Sequence, residues 1–242
     1  SESGTCNRKC SFCPRSDPNY LDIKEFIKPS LHEKLHNELA ELNFSGTVRY
    51  SGFVEPLLDK NIYNLLKKAK KINNKINLEM VTNGDVLDSV RLAKLFKSGL
   101  DRLFISAYDG PDDVKKFKKI RLTTGLSKKQ VVIRDRSLSS KEDFGLTISN
   151  RAGMLENAEY SIMPLKKKME HPCYYPSYTF FMDYNGDVLM CAHDWGKKRI
   201  LGNLKKSSFL DIWTSQLAKI SRKKLNNGDR GFSPCNVCDV HG

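Results

Sequence analysis

The sequence predicts an α/β fold with a parallel sheet, followed by a small cysteine-rich domain. Three observations predict it. Strand-like runs alternate with helix-like periods from Thr47 to Arg134, which is the pattern of a parallel sheet with covering helices. The pattern changes after about Glu159, where Asn185-Gly186 stands between two β-rich runs. The seven cysteines fall into two groups, three by residue 13 and four from residue 173 onward. The alternation fits an open doubly wound sheet or a full or partial barrel, and in each case functional loops gather at the C-terminal ends of the strands.

Taken in order, Thr47–Ser51 reads as a strand and Asn61–Ile72 as a helix, with Ile62, Leu65, Leu66 and Ala69 on one face. Ile76–Thr82 reads as a strand that ends at the turn signal Asn83-Gly84. Val86–Ser98 reads as a helix, Arg102–Ala107 as a strand and Val114–Ile120 as a short helix. Gln130–Arg134 and Leu146–Ser149 complete the strands of the first part. Beyond it, Ser177–Tyr184 and Asp187–Cys191 flank Asn185-Gly186, a strong short-range hairpin signal. One helix follows over Ser208–Leu225, and Gly228 and Gly231 loosen the chain before the last cysteine pair. The expected division is therefore 1–159 and 160–242.

The chain has 242 residues, 39% of them hydrophobic, enough for one sizeable core and a small appendage. No apolar run approaches membrane-spanning length, and no signal peptide is visible. Only five residues precede Cys6, too few for a normal strand, so a clipped N-terminus is expected. The formal net charge is +13. Its lysines sit in helix-like stretches such as Leu65–Ile72 and Val114–Ile120, which read as solvated faces, with no nucleic-acid module beside them. The odd cysteine count and the clustering argue against a closed disulfide set. They suit metal ligation in a reducing, cytoplasmic compartment.

Cys6-x3-Cys10-x2-Cys13 places three thiols within eight residues. A four-iron cluster normally takes four cysteines; three local ligands leave one iron open, the mark of a reactive metal site. Structural zinc sites pair their cysteines differently, so the triplet fits zinc poorly. The later four, Cys173, Cys191, Cys235 and Cys238, would close either a zinc site or a cubane. His171, His193 and Asp194 lie near them and read as supporting or surface groups rather than ligands.

Cys6-Asn7-Arg8-Lys9-Cys10-Ser11-Phe12-Cys13-Pro14 resembles the cluster loop of the radical S-adenosylmethionine (SAM) superfamily, including the aromatic Phe12 before the third cysteine. The resemblance implies a partial (β/α)6 TIM-like barrel. It also implies an open iron that chelates SAM, and reductive cleavage of SAM to methionine and a 5′-deoxyadenosyl radical. Gly52-Phe53-Val54-Glu55-Pro56-Leu57 resembles the segment that meets the amino end of SAM, with Val54 where a second glycine is usual. Asn83, Ser106 and Arg134 end or nearly end strands and are further candidate SAM contacts. Arg134 suits a carboxylate because a guanidinium matches its fork.

The late cysteines, with Gly202-Asn203-Leu204 and Leu210-Asp211-Ile212-Trp213, resemble the shortened SPASM or twitch extension of that superfamily. This implies a small β-hairpin-plus-helix domain and a second, fully ligated [4Fe–4S] cluster. A narrower resemblance covers nearly the whole chain. The late cysteine spacing, Thr82-Asn83-Gly84-Asp85, Ser149-Asn150-Arg151-Ala152-Gly153 and Gly228-Asp229-Arg230-Gly231 are similar to radical SAM dehydrogenases that oxidise an aminocyclitol alcohol. The implied partners are a small-molecule substrate and a flavodoxin- or ferredoxin-like electron donor. The resemblance places Arg151 near the substrate. Its pKa of about 12.5–13.8 makes it a poor base, so it fits a hydrogen-bond donor to a substrate oxygen. A radical SAM peptide or protein maturase is the alternative within this chemistry, and a non-catalytic zinc-stabilised nucleic-acid-binding module the alternative outside it.

Overall fold

The computed structural model describes residues 1–242 except Glu2, Ser140, Asp143, Phe144 and Thr147. It divides into two compact units. The first is Ser1–Asn7 with Glu25–Thr147, and the second is Arg8–Lys24 with Ile148–Gly242. The division falls inside the first cysteine loop, between Asn7 and Arg8. Two short strands, β1 (Ser3–Gly4) and β2 (Ile23–Phe26), lie in the N-terminal stretch.

The first unit holds α1 (Pro29–Glu41), β3 (Thr47–Tyr50), α2 (Ile62–Ile72), β4 (Asn77–Thr82), α3 (Ser89–Lys97), β5 (Arg102–Ala107), α4 (Pro111–Thr123) and β6 (Val131–Asp135). The four strands β3 to β6 are parallel and lie in chain order. Right-handed crossovers between successive neighbours put every helix on the same face. In keeping with this, α1 packs beside α2, α2 beside α3, and α3 beside α4. Chain order without reversal is the winding of a barrel wall; a doubly wound sheet reverses.

Alternation sets the two faces of the sheet. Leu78, Met80, Leu103, Ile105 and Val131 are fully buried, as are Leu65, Leu66, Ala69, Leu92, Leu95 and Phe117 of the helices. The opposite face carries Arg49, Glu79, Phe104, Ser106 and Arg134, which share a side by register. Gly84, just after β4, has φ +76, and a Cβ there would stand 2.5 Å from the Phe117 ring. Both facts require glycine at this turn.

The elements differ from expectation at identifiable places. α4 begins at Pro111, three residues before Val114, because proline suits the first helical position and Asp112 and Asp113 favour the first turn. α3 begins at Ser89 rather than Val86, since the Asp88 carboxylate accepts from the Arg91 N–H at 2.7 Å and caps it there. α1 was not read from the sequence at all. The expected strand Leu146–Ser149 is not formed: Leu146, Ile148 and Ser149 are irregular, Thr147 lies outside the described residues, and from Ile148 the chain belongs to the second unit.

In the second unit, α5 (Tyr175–Tyr178) is a single helical turn with Pro176 near its start, so the expected strand Ser177–Tyr184 shrinks to β7 (Phe181–Met182). β7 pairs antiparallel with β8 (Asp187–Leu189) across the Asn185-Gly186 turn, where Gly186 has φ +90. A third strand, β9 (Ile200–Asn203), pairs with β8. The single helix expected over Ser208–Leu225 is two: α6 (Phe209–Trp213) and α7 (Gln216–Asn226). Ser208 and Asp211 form a reciprocal capping box, and Ser215 caps α7 by accepting from the Ala218 N–H at 3.2 Å.

Candidate cluster and SAM site

Six side chains of the first unit, Cys6, Asn7, Glu55, Thr82, Asn83 and Asp85, converge at the C-terminal end of β4. Glu55, buried, follows β3 and turns its carboxylate onto the end of β4. It accepts from Thr82 Oγ1 at 2.6 Å, from the Asn83 N–H at 2.7 Å and from the Leu57 N–H at 3.0 Å. Burial pushes its carboxyl above the usual range, while the three donors pull the other way. Glu55 therefore ties the loop after β3 to the loop after β4. Asn83 donates its amide to Asn7 Oδ1 at 2.9 Å and stands 4.0 Å from Cys6 Sγ. Asn7 in turn donates to Asp85 Oδ2 at 2.7 Å. Cys6 thus has an amide donor beside its sulfur, the kind of neighbour that tunes a metal thiolate.

Ser106 and Arg134 are register partners on β5 and β6. Ser106 is buried. The Arg134 guanidinium lies 4.2 Å above the Phe104 ring centroid, and its buried Nε has no hydrogen-bond partner among the described residues. Burial first, then Arg136 and Arg49, bring its pKa down to about 10, still well above neutrality, so it stays cationic. Arg49 and Arg102 of the same face share Glu79 at 2.5 and 3.5 Å. A guanidinium with an unpartnered Nε, on the strand beside a serine, has the chemistry to take a carboxylate.

In the second unit, the Cys13 N–H donates to the Cys10 carbonyl at 2.9 Å, so these two cysteines share one turn. Phe12, half-buried, lies between them in sequence. Burial raises the Cys13 thiol, and the Arg15 N–H and the Arg151 charge oppose that rise. Arg151 and Ala152 hold φ of 49° and 53°, two successive non-glycine residues in the left-handed region. Backbone held there against preference is characteristic of functional positions.

Cys173, Cys191, Cys235 and Cys238 line one pocket, with Met190 and Leu225 at its wall. Burial, then the neighbouring thiols, push Cys191 up to about 12, and burial with the neighbouring thiols does the same to Cys235. Thiolates crowded into an apolar pocket need a cationic centre to offset their charge. Among the described residues no three His, Cys, Asp or Glu side chains stand close enough to hold a single metal ion, so four thiols spaced around one pocket fit an iron–sulfur cluster better than one zinc. Arg230, of the Gly228-Asp229-Arg230-Gly231 motif, is 1% exposed. It donates to the carbonyls of His171, Pro172 and Val240 at 3.1, 3.3 and 2.8 Å, clamping the segments that carry Cys173 and Cys238. His171 stacks on His241 at 4.5 Å. Buried Asp194 accepts from the Lys198 and Arg199 N–H groups at 2.9 and 2.8 Å. Both support the fold of the pocket.

The cysteine triplet of the N-terminal segment and the four-cysteine pocket of the second unit are the marks of a radical SAM fold with an iron–sulfur extension. Residues 3–128 match the radical SAM superfamily, and residues 173–239 match SPASM, an iron–sulfur cluster-binding domain. The chain belongs to the radical SAM superfamily, and it is a radical SAM enzyme; the non-catalytic alternative falls. It is 30% identical over 236 residues to the S-adenosyl-L-methionine-dependent 2-deoxy-scyllo-inosamine dehydrogenase of Niallia circulans, covering 97% of this chain and 88% of that protein. It superposes on the crystal structure of BtrN in complex with AdoMet and 2-DOIA with a TM-score of 0.82 at 27% identity, over 99% of this chain and 91% of that one. The likeness to anSMEcpe with bound AdoMet, TM-score 0.62 at 15% identity over 99% of this chain and 90% of that one, is one of fold. Among the described residues, no helix is long and apolar enough to cross a membrane.

Proposed function

We propose that the chain oxidises a hydroxyl-bearing carbon of a small aminocyclitol or sugar-like substrate, using two [4Fe–4S] clusters and SAM. The carrying observation is the division of the seven cysteines into an early three and a late four, with the late four lining one pocket. The similarity to a 2-deoxy-scyllo-inosamine dehydrogenase supports the reaction class. When bound, these groups supply a 5′-deoxyadenosyl radical that takes a hydrogen atom from the substrate carbon, and a second centre that takes one electron.

The chain's own residues do the rest. Cys6, Cys10 and Cys13 give three thiolates and leave one iron for SAM. The loop held by Glu55, together with Asn83, Ser106 and Arg134, holds the amino-acid end of SAM. The Glu55 carboxylate already serves three donors, so its part is to shape the loop, and the backbone carbonyls meet the SAM amino group. Arg134 and Ser106 would take the SAM carboxylate, and Phe12 of the cluster loop would line the cofactor site. Arg151, as a fixed cation, donates to the substrate oxygen as negative charge develops there, and the hydroxyl proton leaves to solvent. Cys173, Cys191, Cys235 and Cys238 would hold the second centre with no iron left open, which would fit it for electron transfer. With every cysteine so used, no thiol remains to return a hydrogen atom, which favours oxidation over epimerisation.

Residues 1–159 form the catalytic part and 160–242 the auxiliary part in this reading. The basic chain, net +13, suits an acidic flavodoxin- or ferredoxin-like donor, and thiolate clusters suit the reducing cytoplasm. The test is the product formed from reduced enzyme, SAM and candidate aminocyclitols in deuterated water. A ketone two mass units lighter than substrate is expected. A product of unchanged oxidation state with deuterium on carbon overturns the reading.

A further inference from the structure

The segment Arg8–Lys24 lies in the same compact unit as the four late cysteines. From Cys13 to Cys191 the contacts run without a break. Cys13 accepts the Arg15 backbone N–H. The Arg15 guanidinium, 5% exposed and fixed by Asp22 at 2.7 Å, lies 5.1 Å over the Tyr20 ring centroid. The Tyr20 ring stands 6.0 Å from the Trp195 ring, tilted by 55°, within the range at which aromatic pairs attract. The Trp195 N–H donates to the His193 carbonyl at 2.9 Å, and the His193 N–H donates to Cys191 Sγ at 3.4 Å. Burial pushes the Tyr20 hydroxyl up to about 12, so the ring is a neutral phenol at working pH.

None of these groups is required to ligate either centre. Together they join one ligand of the open set to one ligand of the closed set, through two aromatic rings and two N–H···S contacts. Delocalised rings in contact carry an electron across a protein better than saturated side chains do. The saturated ligand set of the second pocket leaves electron transfer as its role, and an electron delivered there must leave before the next turnover.

We propose that the Tyr20–Trp195 pair is the electronic bridge between the two cluster sites, returning to the first site the electron that the second takes from substrate. This rests on the oxidation reading above. The transfer moves one electron and makes or breaks no bond: the second site is oxidised by one electron and the first reduced by one. The balance closes. SAM cleavage consumes one electron; the substrate gives up a hydrogen atom to form 5′-deoxyadenosine, then one electron and one proton. Returning that electron restores the reduced first site, so sustained turnover needs no net reductant.

The test uses substrate-free holoprotein, which separates it from the identity of the reaction. A light flash with a deazaflavin photoreductant injects less than one electron per molecule. Freeze-quenched EPR follows its redistribution between the clusters, told apart by the shift that SAM causes in one signal. Trp195→Leu and Tyr20→Leu are expected to slow the redistribution by an order of magnitude or more, with unchanged iron content and midpoint potentials. Trp195→Phe and Tyr20→Phe are expected to retain it. If one leucine variant loses iron, the other decides. Equal rates in wild type and the iron-replete leucine variants overturn the proposal. Failure of the oxidation reading is seen separately, in the wild-type product.

Discussion

At the scale of single residues, the buried polar groups make sharply different demands. Glu55 satisfies Thr82, Asn83 and Leu57 at once. Glu55→Ala leaves three donors without their acceptor, each costing about 1–3 kcal/mol. A large fall in Tm and weakened SAM binding are expected; an unchanged Tm would remove the tie between the two loops. Arg151→Gln keeps SAM binding and lowers kcat for ketone formation by about 10²–10³-fold, as loss of a developing-charge donor does. A kcat equal to wild type would take Arg151 out of the reaction. His32 and His36 on α1 behave in the opposite way to Glu55. Their rings lie 4.4 Å apart, and among the described residues only His32 Nε2 of their four ring nitrogens has a hydrogen-bond partner, the Tyr50 hydroxyl at 2.8 Å. Burial lowers them from 6.5 to about 3 and about 4, so both are neutral in the folded protein, whereas the unfolded chain binds protons below about 6.5. Stability is therefore unaffected by them above pH 6.5 and lost as pH falls from there toward their folded values, by up to about 1.4 kcal/mol per pH unit for each. His36→Leu removes one such group. Acid unfolding curves should show a shallower slope, with stability at pH 7 equal to wild type or higher; an unchanged slope would refute the assignment.

At the scale of elements, the sequence announced what repeats and concealed what is capped. The strands β3, β4, β5 and β6 were legible within one residue or so, because apolar alternation and turn glycines mark their ends. α1 was not, because His32 and His36 occupy two of its four buried positions and a polar count hides the apolar face. The break between α6 and α7 was missed for a local reason: Ser208 with Asp211 and Ser215 with the Ala218 N–H are two separate starts inside one apolar period. β9 was missed because Ile200–Asn203 carries a single strongly apolar pair, and its pairing with β8 is long-range. The cysteines were legible as two sets because spacing alone carries that signal. Arg230 was visible only as a motif, since its task is to bind carbonyls of segments distant in sequence, which no local pattern shows. That task yields a prediction at this scale. Arg230→Met removes the clamp on Cys173 and Cys238 while keeping bulk, so anaerobically purified variant should hold about four irons rather than about eight. Full iron content would show that the pocket stands without the clamp.

At the scale of the molecule, the two units rest on different sources of stability. The first has a continuous apolar layer, with Leu65, Leu66, Leu78, Met80, Leu92, Leu95, Leu103, Ile105 and Val131 at 0% exposure. Its four strands pair along their length, and its core does not involve the cysteines. The second is built from strands of two, three and four residues and helices of four, five and eleven. Its buried cluster of Cys173, Met190 and Leu225 includes one of the four thiols proposed to hold the second centre, so on that proposal filling the site and packing this core go together. Short elements with a small core commonly depend on a bound metal for their folding free energy. Cluster removal by an iron chelator with an oxidant is therefore expected to loosen the second unit and spare the first. Hydrogen exchange of the apo protein should keep protection over Asn77–Thr82 and Arg102–Ala107 and lose it over Asp187–Leu189, Ile200–Asn203 and Gln216–Asn226. Thermal unfolding should split into two transitions, the lower rising again on reconstitution with iron and sulfide. A single transition in the apo protein, with β8 and β9 as protected as β4 and β5, would mean that the second unit folds on its packing alone.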